Sequence, residues 1–302
     1  MAARRTKDAP LQEFHQGYSP EEDRERTNVH YEQPVEFFSL ITGGEWNVYS
    51  CNWWASDQTN LTDPATITAS QAAKLDIFAQ QMHLQPGQRI LDVGCGWGGP
   101  ITYLAQKYGV RGVGLNLSPK QKVAAEARVA RYGVDVRIIQ QHWADFTDSE
   151  GFDAVYTDEV IVHFHDLDQY FAKVHSVLRP GGWMLNKELH NVHPDYGKIN
   201  RTTAHINEIY GFTGNYRSLG EELTLANNAG FEVQTITQFP REHYLKTVGS
   251  WIANMDLHKT KLVDLVGLDY FKQFLVYLKI VYRIFTGEKL TIDAILSRKI
   301  GE

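Results

Sequence analysis

The 302-residue chain reads as an open α/β protein: a mostly parallel sheet with helices on both faces. Three observations predict this class. From Ile90 to Lys187, short apolar runs alternate with longer amphipathic ones, and that β-α-β-α order implies parallel strands covered by helices. The run Ile90-Leu91-Asp92-Val93 passes directly into Gly94-Cys95-Gly96-Trp97-Gly98-Gly99, and a helical pattern then begins at Ile101. Strand, glycine-rich turn and helix form the geometry in which such sheets cradle a nucleotide-like ligand. Finally, 43% apolar and 22% charged residues are ordinary for a soluble globular chain.

The elements follow in order. Residues 1–27 are polar, ending in Glu21-Glu22-Asp23-Arg24-Glu25-Arg26, and read as a flexible N-terminal arm. From Thr27, the residues Val29, Tyr31, Val35, Phe37, Phe38, Leu40 and Ile41 predict one helix with a wide apolar face, ended by Gly43-Gly44. Tyr49-Ser50-Cys51-Asn52-Trp53-Trp54 is an aromatic loop. Thr66 to Met82 predicts a helix, and Pro86-Gly87 turns into the first strand. Strands are expected at 110–116, 134–140, 152–157 and 183–187, with helices at 119–132 and 168–178. Pro119 stands where its missing N–H is harmless. Leu219–Ala229 reads as a helix, Phe231–Phe239 as a strand, Trp251–Phe285 as long helices and Ile292–Lys299 as a last strand. No internal repeat or linker marks a second domain within 28–302.

Composition narrows the function. A net charge of −6 argues against a nucleic-acid partner, which wants a basic face. No apolar run approaches membrane-spanning length, so no stable membrane insertion is expected. The charged N-terminus has no apolar stretch behind it, and the expected compartment is cytoplasmic. Cys51 and Cys95 have no metal-ligand spacing, and neither do His163, His165 and His175. No metal site is expected, and homo-oligomerisation is left open.

The motifs carry a resemblance. His30-Tyr31 with Phe37-Phe38, Tyr49-Ser50-Cys51, Leu84-Gln85-Pro86-Gly87, Leu91–Gly98, Gly112–Gln121 and His243-Tyr244 resemble a class I S-adenosylmethionine-dependent methyltransferase. The likeness is closest to the cyclopropane fatty acid synthase and mycolic acid cyclopropane synthase group. It implies a seven-stranded, mostly parallel Rossmann-like methyltransferase sheet under an N-terminal helical lid (28–83), with 192–218 and 240–285 covering the substrate. It also implies S-adenosylmethionine as cofactor. The residues expected to bind it are Tyr49 and Ser50 at the methionine end, Asp92, Gly94 and Gly96 in the turn, and Asn116, Leu117 and Gln121 near the ribose. His142 and Trp143 are expected at the adenine. Asn116 stands where many methyltransferases carry an acid, and Ala144 where the family has Glu.

In the resembled group a bound bicarbonate takes a proton from the new methyl and the ring closes. Its holders there are a Cys after Tyr-Ser, a Glu before a His, a His on the strand after Pro-x-x-Gly, and a Tyr in His-Tyr. Cys51 and Tyr244 match, but the Glu position is Val162 and the His position is Lys187. Methyl transfer to carbon without ring closure is therefore expected, on an apolar alkene-containing acceptor, isoprenoid or fatty acyl. Candidates for the proton's acceptor are Glu159, Glu188, His163, His190 and Tyr244, with a partly buried carboxylate of raised pKa favoured. Tyr196, Tyr210, Phe212, Tyr216, Phe239, Trp251, Phe274 and Tyr277 supply aromatic faces for an apolar pocket or a cation. The rival readings are N- or O-methylation of a small natural product, cyclopropane synthesis, and a cofactor-binding module without catalysis.

Overall fold

The computed structural model describes residues 20–31, 33–164, 166–193 and 216–300. His165, Tyr196, Tyr210 and Phe212 lie outside the described residues, as do residues 1–19 of the expected arm.

The N-terminal region differs from expectation. A helix α1 (Pro20–Tyr31) begins inside the segment read as a flexible arm, where Glu21, Glu22 and Glu25 give it an exposed polar face. A second helix, α2 (Val35–Thr42), follows with Pro34 at its N-cap in extended geometry, φ −53° and ψ 138°. Proline's missing N–H and its effect on the residue before it break the single helix expected here. Next, α3 (Pro64–Gln81) starts on Asp63, whose Oδ2 accepts from the Thr66 N–H at 2.8 Å.

The sheet comprises β1 (Arg89–Val93), β2 (Arg111–Asn116), β3 (Val136–Gln140), β4 (Phe152–Asp158), β5 (Leu178–Asn191), β6 (Phe231–Gln238) and β7 (Leu290–Lys299). Its spatial order is β3-β2-β1-β4-β5-β7-β6. Pairings among β1 to β5 are parallel, and β7 runs antiparallel to both β5 and β6. Helices α4 (Gly99–Tyr108), α5 (Pro119–Tyr132), α6 (Leu167–Val177) and α7 (Leu219–Asn228) connect the strands, and apolar cores fill both faces. Strand β5 is longer than expected and absorbs Pro180-Gly181-Gly182. Glu188 therefore sits within the strand rather than at its carboxyl end.

Three further helices follow β6: α8 (Arg241–Leu257), α9 (Lys259–Val266) and α10 (Leu268–Thr286). The first ten residues of α8 were not legible as helix, because buried His243, Thr247 and Ser250 dilute its apolar stripe. Helix α8 packs on α2 and α10, so chain from both ends meets above the carboxyl edges of β1, β4 and β5. Strand order reverses between β1 and β4, and open α/β sheets bind ligands at such a crevice.

Candidate active site

The glycine turn forms one wall. The N–H groups of Gly94 and Cys95 both bond Leu115 O, at 3.1 and 2.9 Å. Gly96 sits at φ +52°, and a Cβ placed there would meet nothing within 4 Å. It would project into the cleft, so the absence of a side chain leaves room for a ligand against the main chain. Gly99 has a different reason: a Cβ there would lie 1.6 Å from Trp46 O. That contact brings the lid against the start of α4.

The cleft spans about 1000 Å³ counted together with its open side. Of the residues expected to bind cofactor, Tyr49, Ser50, Asp92, Gly94, Gly96, Asn116, Leu117, Gln121 and Trp143 line it, and Glu159 and His163 join them. His142 is not on this wall. It is buried, and its Nδ1 accepts the Ala144 N–H at 3.1 Å, capping the 3₁₀ turn that carries Trp143. Trp143 packs 5.3 Å from Phe164 and 5.4 Å from Tyr170, between ring centroids. Its buried Nε1 has no hydrogen-bond partner among the described residues. Asn116 is already engaged: Nδ2 donates to Gly96 O at 2.6 Å and Oδ1 accepts from the Ser118 N–H at 2.8 Å. It shapes the loop on which a ribose would rest. Burial pushes Asp92 up to about 7, although the Tyr156 hydroxyl donates to it at 2.6 Å and opposes the shift.

Beneath the cleft lies an ion network that the sequence did not reveal. Asp158 receives Lys187 Nζ at 2.9 Å on Oδ1, and Lys74 Nζ and the Ser50 hydroxyl (2.6 Å) on Oδ2. Glu159 Oε1 accepts from Lys187 Nζ and from the Cys51 N–H. Both lysine side chains are fully buried. Two cations and two carboxylates thus neutralise one another, as buried charges must. Burial would raise Asp158, but Lys187 and Lys74 outweigh it and hold the carboxyl at about 2. Burial would lower Lys187, yet Asp158 and Glu159 keep it firmly charged. For Lys74, burial dominates and the ammonium's pKa falls. The signal for Lys74 was present: it interrupts the buried stripe of Gln71, Leu75 and Phe78.

The loop after Tyr49 is fastened residue by residue. Besides Ser50 and Cys51, the Asn52 N–H bonds Thr247 Oγ1 at 3.0 Å, the Trp53 N–H bonds Ser70 O at 3.1 Å, and the Trp54 N–H bonds His243 Nδ1 at 3.0 Å. Trp53 stacks on His243 with ring centroids 4.4 Å apart, and Trp54 is buried. Both tryptophans hold the lid and line neither cavity. The Cys51 thiol is likewise withdrawn. Burial pushes it up to about 12, and Sγ donates to Asn52 O at 3.4 Å.

A second cavity, about 780 Å³ with its open side, adjoins the first. Tyr31, Tyr49, Glu159 and His163 belong to both walls. The remainder is His30, Val162, Leu189, Tyr216, Tyr244, Trp251, Tyr277, Val281, Ile284, Phe285 and Leu290. Among the described residues it contains no lysine or arginine. Burial, with a smaller push from His163, lowers His30 to about 3, so the His30 ring is neutral there. Tyr244 stacks on Phe285 at 3.8 Å. Phe239 and Phe274 are buried and line neither cavity; Phe239 lies under the Lys187 ammonium, 5.2 Å from it.

Glu188 does not join them. Alternation along β5 turns it to the other face, where it accepts the N–H groups of Val162 at 3.0 Å and Leu189 at 2.9 Å. Burial pushes it up to about 8. It has the raised pKa expected of the base but does not line either cavity. His190, also proposed as a base, is clamped between Glu222 Oε2 at 2.8 Å and Asp293 Oδ2 at 3.0 Å. Burial would lower it, but those two hydrogen bonds outweigh this and raise it to about 9. No group of three metal-ligating side chains occurs among the described residues, and no described helix is long and apolar enough to cross a membrane.

Comparison with known proteins fits this geometry. A probable fatty acid methyltransferase of Mycobacterium tuberculosis is 29% identical over 293 residues, covering 94% of this chain and 64% of the relative. A hydroxymycolate synthase of the same organism is 26% identical over 300 residues, covering 94% and 96%. A crystal structure of mycolic acid cyclopropane synthase complexed with SAH and CTAB superposes with a TM-score of 0.83 at 25% identity, covering 91% of this chain and 98% of that one. Fold and relatives together define a methyltransferase that uses S-adenosylmethionine. The chain belongs to the mycolic acid cyclopropane synthetase family, whose model matches residues 18–295.

Proposed function

We propose that this enzyme methylates a carbon–carbon double bond of an apolar acceptor, isoprenoid or fatty acyl, and releases a branched alkene without closing a cyclopropane. The observation that carries the reading is the second cavity: aromatic and aliphatic, without a cationic side chain among the described residues, and joined to the cofactor cleft at Tyr31, Tyr49, Glu159 and His163. Relatives that are named a fatty acid methyltransferase and a hydroxymycolate synthase support a lipid-like acceptor.

The cleft fits the cofactor. The open space over Gly96 is a feature that a bound ligand would fill. The bound cofactor supplies an electrophilic methyl group on sulfur. Tyr49 and Ser50 would hold its methionine end, Asp92 and the Gly94–Gly96 backbone would flank it, Asn116, Leu117 and Gln121 would take the ribose, and Trp143 would take the adenine, all of them in the wall of one cleft. Tyr244, Tyr216, Tyr277 and Trp251 present aromatic faces to positive charge developing on the acceptor, an attraction that strengthens where water is excluded. His163 stands at the seam between the cavities. Cys51 acts through its N–H on Glu159 rather than through its thiol.

Ring closure needs a base held against the incoming methyl itself. Val162 contributes no polar group there, and Lys187 spends its ammonium on Asp158 and Glu159. The test is a product screen of unsaturated acyl and isoprenoid lipids against small amines and phenols, read by mass for one added CH₂ and by NMR for the new carbon skeleton. Cyclopropane protons, or methylation of heteroatoms alone, would sink the reading.

A further inference from the structure

Glu159 lies in the left-handed region, at φ +59°. A side chain there is uncommon and strained, and such strain collects at functional positions. The conformation is held on several sides. The Glu159 N–H donates to Lys187 O at 2.8 Å. Oε1 accepts from the Cys51 N–H at 2.8 Å and from Lys187 Nζ at 2.5 Å. No described residue hydrogen-bonds Oε2. Asp158 already meets both Lys74 and Lys187, so charge balance asks for a second carboxylate, but it does not ask for one on a left-handed backbone. What the conformation achieves is placement: a fixed carboxylate, its side chain 8% exposed, in the wall common to both cavities.

We infer that Glu159 is the catalytic proton acceptor, a carboxylate built into the chain that takes the part of an exchangeable anion, so that the reaction proceeds without bicarbonate. This rests on the alkene reading above. The alkene's π pair forms the new bond to the methyl carbon while the sulfur–methyl pair returns to sulfur. The neighbouring carbon becomes cationic. Glu159 Oε2 takes a proton from an adjacent carbon, and that C–H pair becomes the new double bond. The carboxylic acid then returns its proton to solvent once product leaves. A C–H beside a carbocation is far more acidic than a carboxylic acid, so a carboxylate paired with lysine is base enough. What the site must supply is aim, and Lys187 is the positioning residue.

Two arms test this. Glu159→Gly relieves the positive φ but removes one of the two carboxylates that balance Lys74 and Lys187, so the variant should melt below wild type while keeping one cooperative transition, and it leaves the Cys51 N–H and Lys187 Nζ facing a gap. Carbon-13 formate titrated by NMR into the SAH-loaded variant should bind saturably, and wild type should show no binding; binding to both or to neither overturns the inference. In the second arm, wild type on its alkene acceptor in CO₂-free buffer should turn over normally. Glu159→Gln should lose roughly 10²-fold or more in turnover with cofactor Kd unchanged, and sodium formate should restore Glu159→Gly by at least tenfold. A wild type that stalls without bicarbonate, a Gln variant of normal rate, or a Gly variant deaf to formate overturns it. A wild type that methylates no alkene sinks the alkene reading, and the proton step with it, whereas an alkene product with a normal Gln variant sinks this inference alone.

Discussion

The two cavities are built in opposite ways. The glycine-turn cleft takes one wall from a local motif: the turn after β1, the end of β2 and the start of α5, where Gly96 opens main chain to the cleft. The second cavity is assembled at long range from α1, the seam after β4, Tyr216, α8 and α10, with no glycine among the described residues of its wall. A backbone site tolerates wide sequence change while its glycines persist. A side-chain site can be re-specified one residue at a time, which is how one fold serves many acceptors. That difference is consistent with relatives at 25–29% identity carrying different acceptor names on one architecture.

The largest blow to the contrast comes from the backbone side. Gly96→Val should weaken cofactor binding at least a thousandfold, about 4 kcal/mol, because a β-branched residue resists φ +52° and fills the cleft. Calorimetry with SAH checks it, and ordinary affinity would show that the cofactor lies elsewhere. Lys74→Met should cost about 3–5 kcal/mol of stability in urea melts, since Asp158 loses one of its two buried cations. An unchanged midpoint would mean water reaches that network.

Titration probes the buried charges around the site. Glu188 and His190 bind their protons more tightly in the folded chain, near 8 and 9 against ordinary values of 4.5 and 6.5. Their stabilisation is whole below the ordinary values and drains away as pH rises through the folded ones. Asp158 is depressed to about 2 from 3.8, so its share is present above 3.8 and is lost as pH falls through 2. Stability should therefore fall as pH rises from 7 to 9, by on the order of 3 kcal/mol as Glu188 and His190 lose their protons, with a lower melting temperature, and fall again in strong acid as Asp158 takes its proton. A flat profile from pH 6 to 9 would contradict it.

Two smaller effects sharpen the contrast. Trp143→Ala should raise the cofactor Kd by about 1–3 kcal/mol, an aromatic stacking loss; an unchanged Kd would leave Trp143 as core alone. Tyr244→Phe should leave cofactor affinity within about 0.5 kcal/mol while shifting preference among acceptors. A reversal of those two readouts would mean the cavities are not functionally distinct.

The sheet and glycine turn were legible because their signals are local: apolar runs, turn residues and a fixed motif spacing. Glu159 was legible as a residue after β4, but its strained φ and its partners were not, since they depend on Lys187 and Cys51 far away in sequence. Glu188 misled because strand length and side-chain alternation decide which face it takes, and β5 extends past the expected end. His142 and Trp143 were read as a pair, yet one caps the turn and the other reaches the cleft. Proline 34 was visible, but apolar density on both sides of it concealed the break between α1 and α2.

The fastening of residues 50–54 bears on energetic coupling. One five-residue strap is tied to β4 through Asp158 and Glu159, to α3 through Ser70, and to α8 through Thr247 and His243. Tyr49, just before it, belongs to both cavity walls. A ligand that orders Tyr49 or this strap from one cavity would thereby change the free energy of filling the other. Linkage makes that effect reciprocal: the factor by which cofactor tightens the acceptor must equal the factor by which acceptor tightens the cofactor.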